Sequence, residues 1–209
     1  MLDKFYAFLD RPIAGWSRFV LVALTVPLAL SFAQPLWRIS MEAPQYPKGL
    51  WMEIYAHKLE AGNDGQHLDE INVLNHYIGM QRIDRSALTD LDWMPFALGA
   101  LFLLTLRVAA IGNVRMLLDH LVLSGYVFLF AGARFVYRLW VFGHHLDPKA
   151  PVDVAPFMPA VLGSKQIANF TTHSFPQTGT WLVTTFLVGL VLVTGWHLVT
   201  GRRAARRSP

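Results

Sequence analysis

Residues 74–83, LNHYIGMQRI, place an imidazole four residues before a thioether. Positions i and i+4 of a helix share a face, so His76 and Met80 can approach one ion there. Imidazole and thioether in a chain without thiolates make a donor set suited to copper, imidazole taking Cu(II) and the softer sulfur favouring Cu(I). The same spacing also fits an ordinary packed helix whose histidine finds a polar partner. Further donors stand at His144 and His145, adjacent in GHHLDP, and at His57. A copper centre needs three or four of these to converge, and spacing alone does not decide that. Arg134 and Arg138, four apart in AGARFVYRLW, offer different chemistry. Charged groups within an apolar run are costly and face a polar interior or an ion partner. Candidate partners are the acids Asp92, Asp147 and Asp153, or a lipid phosphate.

The elements that position these residues follow from composition. The chain has 209 residues, 54% hydrophobic and 15% charged, with no cysteine. The charge deficit, against about 25% in soluble domains, is concentrated in a few long runs. Absence of cysteine excludes disulfides, iron–sulfur clusters and covalent haem attachment. Spanning a bilayer takes about 20 apolar residues, and four stretches qualify: 19–37, 93–111, 116–142 and 180–200. The first is too long for a cleaved leader and is followed by no small-residue cleavage site. Pro27 predicts a kink in it.

Lysine and arginine collect on the cytoplasmic side of a membrane. Segments 1–18, 112–115 and 201–209, with Arg107 at a span end, hold nine basic residues: Lys4, Arg11, Arg18, Arg107, Arg115, Arg202, Arg203, Arg206 and Arg207. Segment 38–92 holds five basic and nine acidic residues, and 143–179 is balanced. Both termini are therefore expected to be cytoplasmic and both long loops exoplasmic. The net charge of +4 comes largely from span ends, which argues against nucleic-acid binding. Six of the eight histidines fall in the outer loops; His120 and His197 fall near inner span ends, and His120 is expected to be interfacial.

Within the first outer loop, GLWMEIYAHKL alternates, with Leu50, Met52, Ile54 and Ala56 on one face of a strand. AGNDG reads as a turn. HLDEINVLNHYIGM then spaces Leu68, Ile71, Leu74 and Ile78 as a helix, with Gly79 as its terminator. The second outer loop carries five prolines from Pro148 to Pro176, which favour irregular extended backbone. Its Val154, Phe157, Met158, Val161, Leu162 and Ile167 are too apolar for a free linker, so it is expected to pack over the first loop or against a partner.

LWRISMEAPQYPKGLWMEIYAHKLEAG, INVLNHYIGM and LGSKQIANFTTHSFP together resemble a group of bacterial four-span membrane proteins carrying A-P-Q-Y-P and N-H-Y-I-G-M motifs. The resemblance covers most of residues 36–176. It implies an association with nitrous oxide reductase maturation and other periplasmic copper or respiratory systems, with His76 and Met80 as outer-face candidates. The chain lacks the cysteine–methionine motif of the lipoprotein copper chaperone used in that assembly.

The expected fold is an all-α membrane protein: four transmembrane helices with a small mixed α/β exoplasmic region built from the two outer loops. The expected function is that of a periplasmic-face accessory protein in copper handling or metalloenzyme maturation, with copper as cofactor and membrane lipids and a larger membrane complex or periplasmic metalloprotein as partners. The alternative is a cofactor-free subunit docking on a respiratory or photosynthetic complex. Catalysis is not expected, because no nucleophile with a positioned base, phosphate loop or dense carboxylate cluster is present. Glu53, Asp69 and Glu70 read as a solvated face.

Overall fold

The computed structural model describes residues 2–167 and 169–207. The side chains of Asp3, Lys4, Arg202, Arg203, Arg206 and Arg207, which enter the charge asymmetry, lie outside that description, as do Ser208 and Pro209. The elements in order are α1 (Leu2–Leu9), α2 (Gly15–Leu30), β1 (Trp37–Ala43), β2 (Tyr46–Ile54), β3 (Leu59–Ala61), α3 (Gln66–Tyr77), α4 (Asp90–Ile111), α5 (Val114–His144), β4 (Gly163–Ile167), β5 (Phe170–Pro176) and α6 (Thr178–Arg207). The all-α expectation is corrected: the five strands form one antiparallel sheet, so the fold is mixed. The chain divides into two compact units, one of Met1–Leu30, Phe96–Leu129 and Trp181–Pro209, the other of Ser31–Pro95 and Phe130–Thr180.

Four helical stretches, Gly15–Ala33, Asp90–Ile111, Val114–His144 and Thr178–Gly201, are long and apolar enough to cross a membrane, as in a multi-pass membrane protein. The first helix stops at Leu30 and a 3-10 turn follows over Ser31–Ala33, so Trp37 opens a strand instead of ending a span. At most 28% of any of the four apolar windows is buried within the protein. Apolar surface on that scale needs a non-aqueous environment or a partner to cover it.

The first unit is helical. Leu21, Leu28, Leu101, Leu117, Phe186 and Leu190 are essentially inaccessible, while Phe19, Phe96, Leu103 and Leu192 face outward. A side chain at Gly189 would collide with Leu24, so glycine there permits close helix approach. Arg18 donates to the carbonyls of Ala109 and Ala110 in the last turn of α4, where helix carbonyls lack partners. Asn113 caps α5 by accepting from the Met116 amide at 2.9 Å.

The second unit is built on the sheet, in the order β3-β2-β1-β5-β4. Pro44 and Gln45, the centre of A-P-Q-Y-P, form the turn between β1 and β2, with Ala43 opposite Tyr46. The register then slips so that Met41 faces Leu50, the extra β2 residues accommodating Pro47 and a left-handed Gly49. Alternation delivers Met41 and Ala43, Leu50 and Met52, and Phe170 to a core that also takes Ile71 and Leu74 from α3, Ile78 from just past its end, and Phe142. The sequence expectations for this region hold in part: β2 buries Leu50 and Met52 but ends at Ile54, short of Ala56, and α3 buries Ile71 and Leu74, with Ile78 buried at its cap. The proline-rich loop is only partly irregular. It adds β4 and β5 to the sheet, β5 pairing with β1, and Val154 and Phe157 pack against the core.

Candidate functional site

The N-H-Y-I-G-M stretch closes α3. Gly79 adopts φ 77°, and its amide donates to the His76 carbonyl at 3.1 Å. The Met80 amide reaches back to the Asn75 carbonyl at 2.8 Å. This pair of bonds around a left-handed glycine is a Schellman cap, which satisfies carbonyls a helix end would leave open. A Cβ at Gly79 would lie 2.8 Å from the Asp147 carbonyl oxygen, so glycine also permits a close backbone approach. Across that contact Asp147 donates to the Gly79 carbonyl at 2.8 Å, and Val152 donates to the Tyr77 carbonyl at 3.0 Å. Asn72 locks the following segment: its amide donates to the Ile83 carbonyl at 2.9 Å and accepts from the Ile83 amide at 2.7 Å.

The predicted donors are dispersed around this cap. His76 is exposed, while Met80 packs against the apolar core. His57 is exposed beside the Tyr55 ring. His144 stacks on Trp140 with ring centroids 4.7 Å apart, and His145 meets the same indole edge-on. The His144 Nδ1 lies 2.9 Å from the Trp140 carbonyl, which can only accept, so Nδ1 is the donor of that bond. Among the described residues, no three His, Asp or Glu side chains form a group able to hold a metal ion.

Several acids of this unit have partners within it. Asp69 pairs with Arg82, Glu53 lies 3.8 Å from Arg38, and Glu70 accepts the Tyr46 hydroxyl. That carboxylate, aided by burial, raises the Tyr46 pKa. Burial, reinforced by the Glu60 and Glu53 carboxylates, pushes the Tyr55 phenol to about 12.

Arg134 and Arg138 find a partner that the sequence reading did not name. Arg134 grips Asp90 with two bonds, Nε to Oδ1 at 2.8 Å and Nη2 to Oδ2 at 3.2 Å. Arg138 lies 3.6 Å from the same carboxylate and donates to the Thr89 hydroxyl at 2.6 Å. Trp93 donates its indole N–H to Asp90 at 2.8 Å. Of the expected partners, Asp92 pairs with Arg85 instead, and Asp147 accepts from the Lys149 amide.

Comparison with known protein families, curated proteins and solved structures finds no match. The site therefore rests on its own geometry.

His120 and His197 are 4% and 6% exposed, so both are buried within the protein. His197 lies 3.0 Å from the fully buried Ser17 hydroxyl. His120 Nε2 is 2.8 Å from Thr105 Oγ1, and that hydroxyl's proton is committed to the Leu101 carbonyl at 2.7 Å. The shared hydrogen must then come from His120, leaving Nδ1 as a buried acceptor without a partner. His120 lines a shallow cavity of about 150 Å³ with Met116, Asp119, Arg107 and apolar residues. The signal was legible: Val114, Leu117, His120 and Ser124 occupy one buried stripe at helical spacing.

Proposed function

We propose that this chain is an accessory subunit of a bacterial inner membrane, with both termini cytoplasmic and its sheet unit at the periplasmic face. There it docks a larger membrane complex or a periplasmic metalloprotein. The observation that carries the reading is the surface of the sheet unit. Leu162, just before the outermost strand β4, is 66% exposed, and Phe175 on β5 is 46% exposed. Among the described residues β4 pairs only with β5. A terminal strand with apolar side chains beside it is a surface on which another chain can be added. Copper handling is the less favoured reading, because the His76 and Met80 side chains diverge at the helix cap.

The test is a photo-crosslinking residue at Leu162 in native membranes, with Lys48 in the opposite hairpin as the control, together with copper content after Cu(I) loading. The expected result is one discrete adduct from position 162, none from 48, and copper content unchanged by His76→Ala with Met80→Ala. Near-stoichiometric copper lost in that double variant would replace docking with metal handling.

A further inference from the structure

The Asp90 cluster is unbalanced. Two guanidiniums face one carboxylate, a net charge of +1 from formal charges. The carboxylate is already held by other donors: Oδ1 accepts from Arg134 Nε and Trp93 Nε1, and Oδ2 accepts from Arg134 Nη2. Arg138 is left with a contact too long for a hydrogen bond, and its Nε is buried without an acceptor. Asp92, two residues along, is taken by Arg85 at 2.6 Å. Yet Arg138 belongs to a helix long and apolar enough to cross a membrane, where an uncompensated cation is costly.

The surroundings specify the missing anion. The Arg138 side chain is 25% exposed although its Nε is buried, so the outer part of the side chain remains reachable. Beside it on α5, Tyr137 and Trp140 stack at 6.2 Å and an interplanar angle of 17°, and both are exposed. Trp and Tyr of this kind settle at the headgroup level of a bilayer. A planar guanidinium fork matches the paired oxygens of a phosphate. We infer that Arg138, supported by Arg134 and the Thr89 hydroxyl, binds the phosphate of an anionic phospholipid headgroup. A free phosphate ion would satisfy the same donors, but only a lipid also covers the aromatic pair and the exposed apolar flank at Phe130 and Val136.

Native mass spectrometry of the detergent-purified protein tests this with three added probes: dioleoylphosphatidylglycerol, dioleoylglycerol and inorganic phosphate. The wild type is expected to retain one phosphatidylglycerol at least about tenfold better than dioleoylglycerol, which lacks the phosphate, and to retain no inorganic phosphate. Arg138→Gln should lose that preference, while Arg85→Gln, which removes a balanced surface arginine, should keep it. Equal retention of the two lipids by the wild type overturns the proposal without recourse to any variant. So does an unchanged preference in Arg138→Gln, and so does phosphate binding without lipid.

Discussion

Asn72 and Asn75 sit three residues apart on α3, both buried, and the structure gives them opposite energetic roles. Asn72 satisfies both the amide and the carbonyl of Ile83, a residue only 6% exposed. Replacing it with leucine, which has the same number of heavy atoms, strands two backbone groups at about 1–3 kcal/mol each. The added apolar burial returns about 1 kcal/mol, so Asn72→Leu should cost about 3 kcal/mol, the middle of a range of about 1–5 kcal/mol. Asn75 is fully buried, yet neither side-chain polar atom has a hydrogen-bond partner. Asn75→Leu removes an amide that pays desolvation without return and should be neutral or stabilising by about 1 kcal/mol, overpacking being the opposing effect. Thermal unfolding in detergent, followed by tryptophan fluorescence, separates the two. Asn72→Leu should lower Tm by about 5–10 °C and Asn75→Leu should leave it unchanged or raise it. A loss for Asn75→Leu equal to that for Asn72→Leu would refute the reasoning, since it would mean the Asn75 amide is bonded after all.

Gly79→Ala should lower Tm by several degrees in the same assay, since φ 77° strains any side chain and the new Cβ meets the Asp147 backbone at 2.8 Å; an unchanged Tm would remove the cap from the account. Tyr55 should be among the last tyrosines to ionise in an ultraviolet titration, near pH 12. Its folded pKa lies above the unfolded value, so its contribution to stability is complete below pH 10 and is lost as pH rises toward 12. Tyr55→Phe should flatten that alkaline decline. The cysteine-free background permits a topology test: Gln45→Cys should react with a membrane-impermeant maleimide in right-side-out vesicles, and Arg11→Cys only after permeabilisation. The reverse pattern would invert the proposed orientation.

The parts of the fold that were legible are those where periodicity is strong and one face is apolar. β2 and α3 carry such patterns, while the four long helices are legible from the length of their apolar runs. β4 and β5 were not legible because GSKQI and FTTHSFP are polar on both faces: the buried side of β5 is Phe170, Thr172 and Ser174. Thr172 and Ser174 are buried by satisfying carbonyls, Lys165 and Val161 respectively, and that depends on a fold that no local pattern encodes. β1 was partly absorbed into a predicted span that ran to Trp37. Asp90 escaped notice because Asp84, Asp90 and Asp92 are chemically equivalent in sequence, and helix register alone turns Asp90 to Arg134 and Asp92 to Arg85.

Equal spacing gave opposite outcomes at two His–Met pairs. Met116 and His120 are i, i+4 inside the unbroken α5, and both line one cavity, as helical geometry requires. His76 and Met80 have the same separation in the opposite order, but the helix ends between them. α3 stops at Tyr77, Gly79 turns left-handed, and the Met80 amide folds back onto Asn75. That reversal sets the thioether, partly buried, against the apolar core while the imidazole stays exposed. The rule that i and i+4 share a face holds only while the residues between them keep helical φ and ψ. A glycine between them is the warning that it will not, and this glycine turns a metal-ligand spacing into a cap.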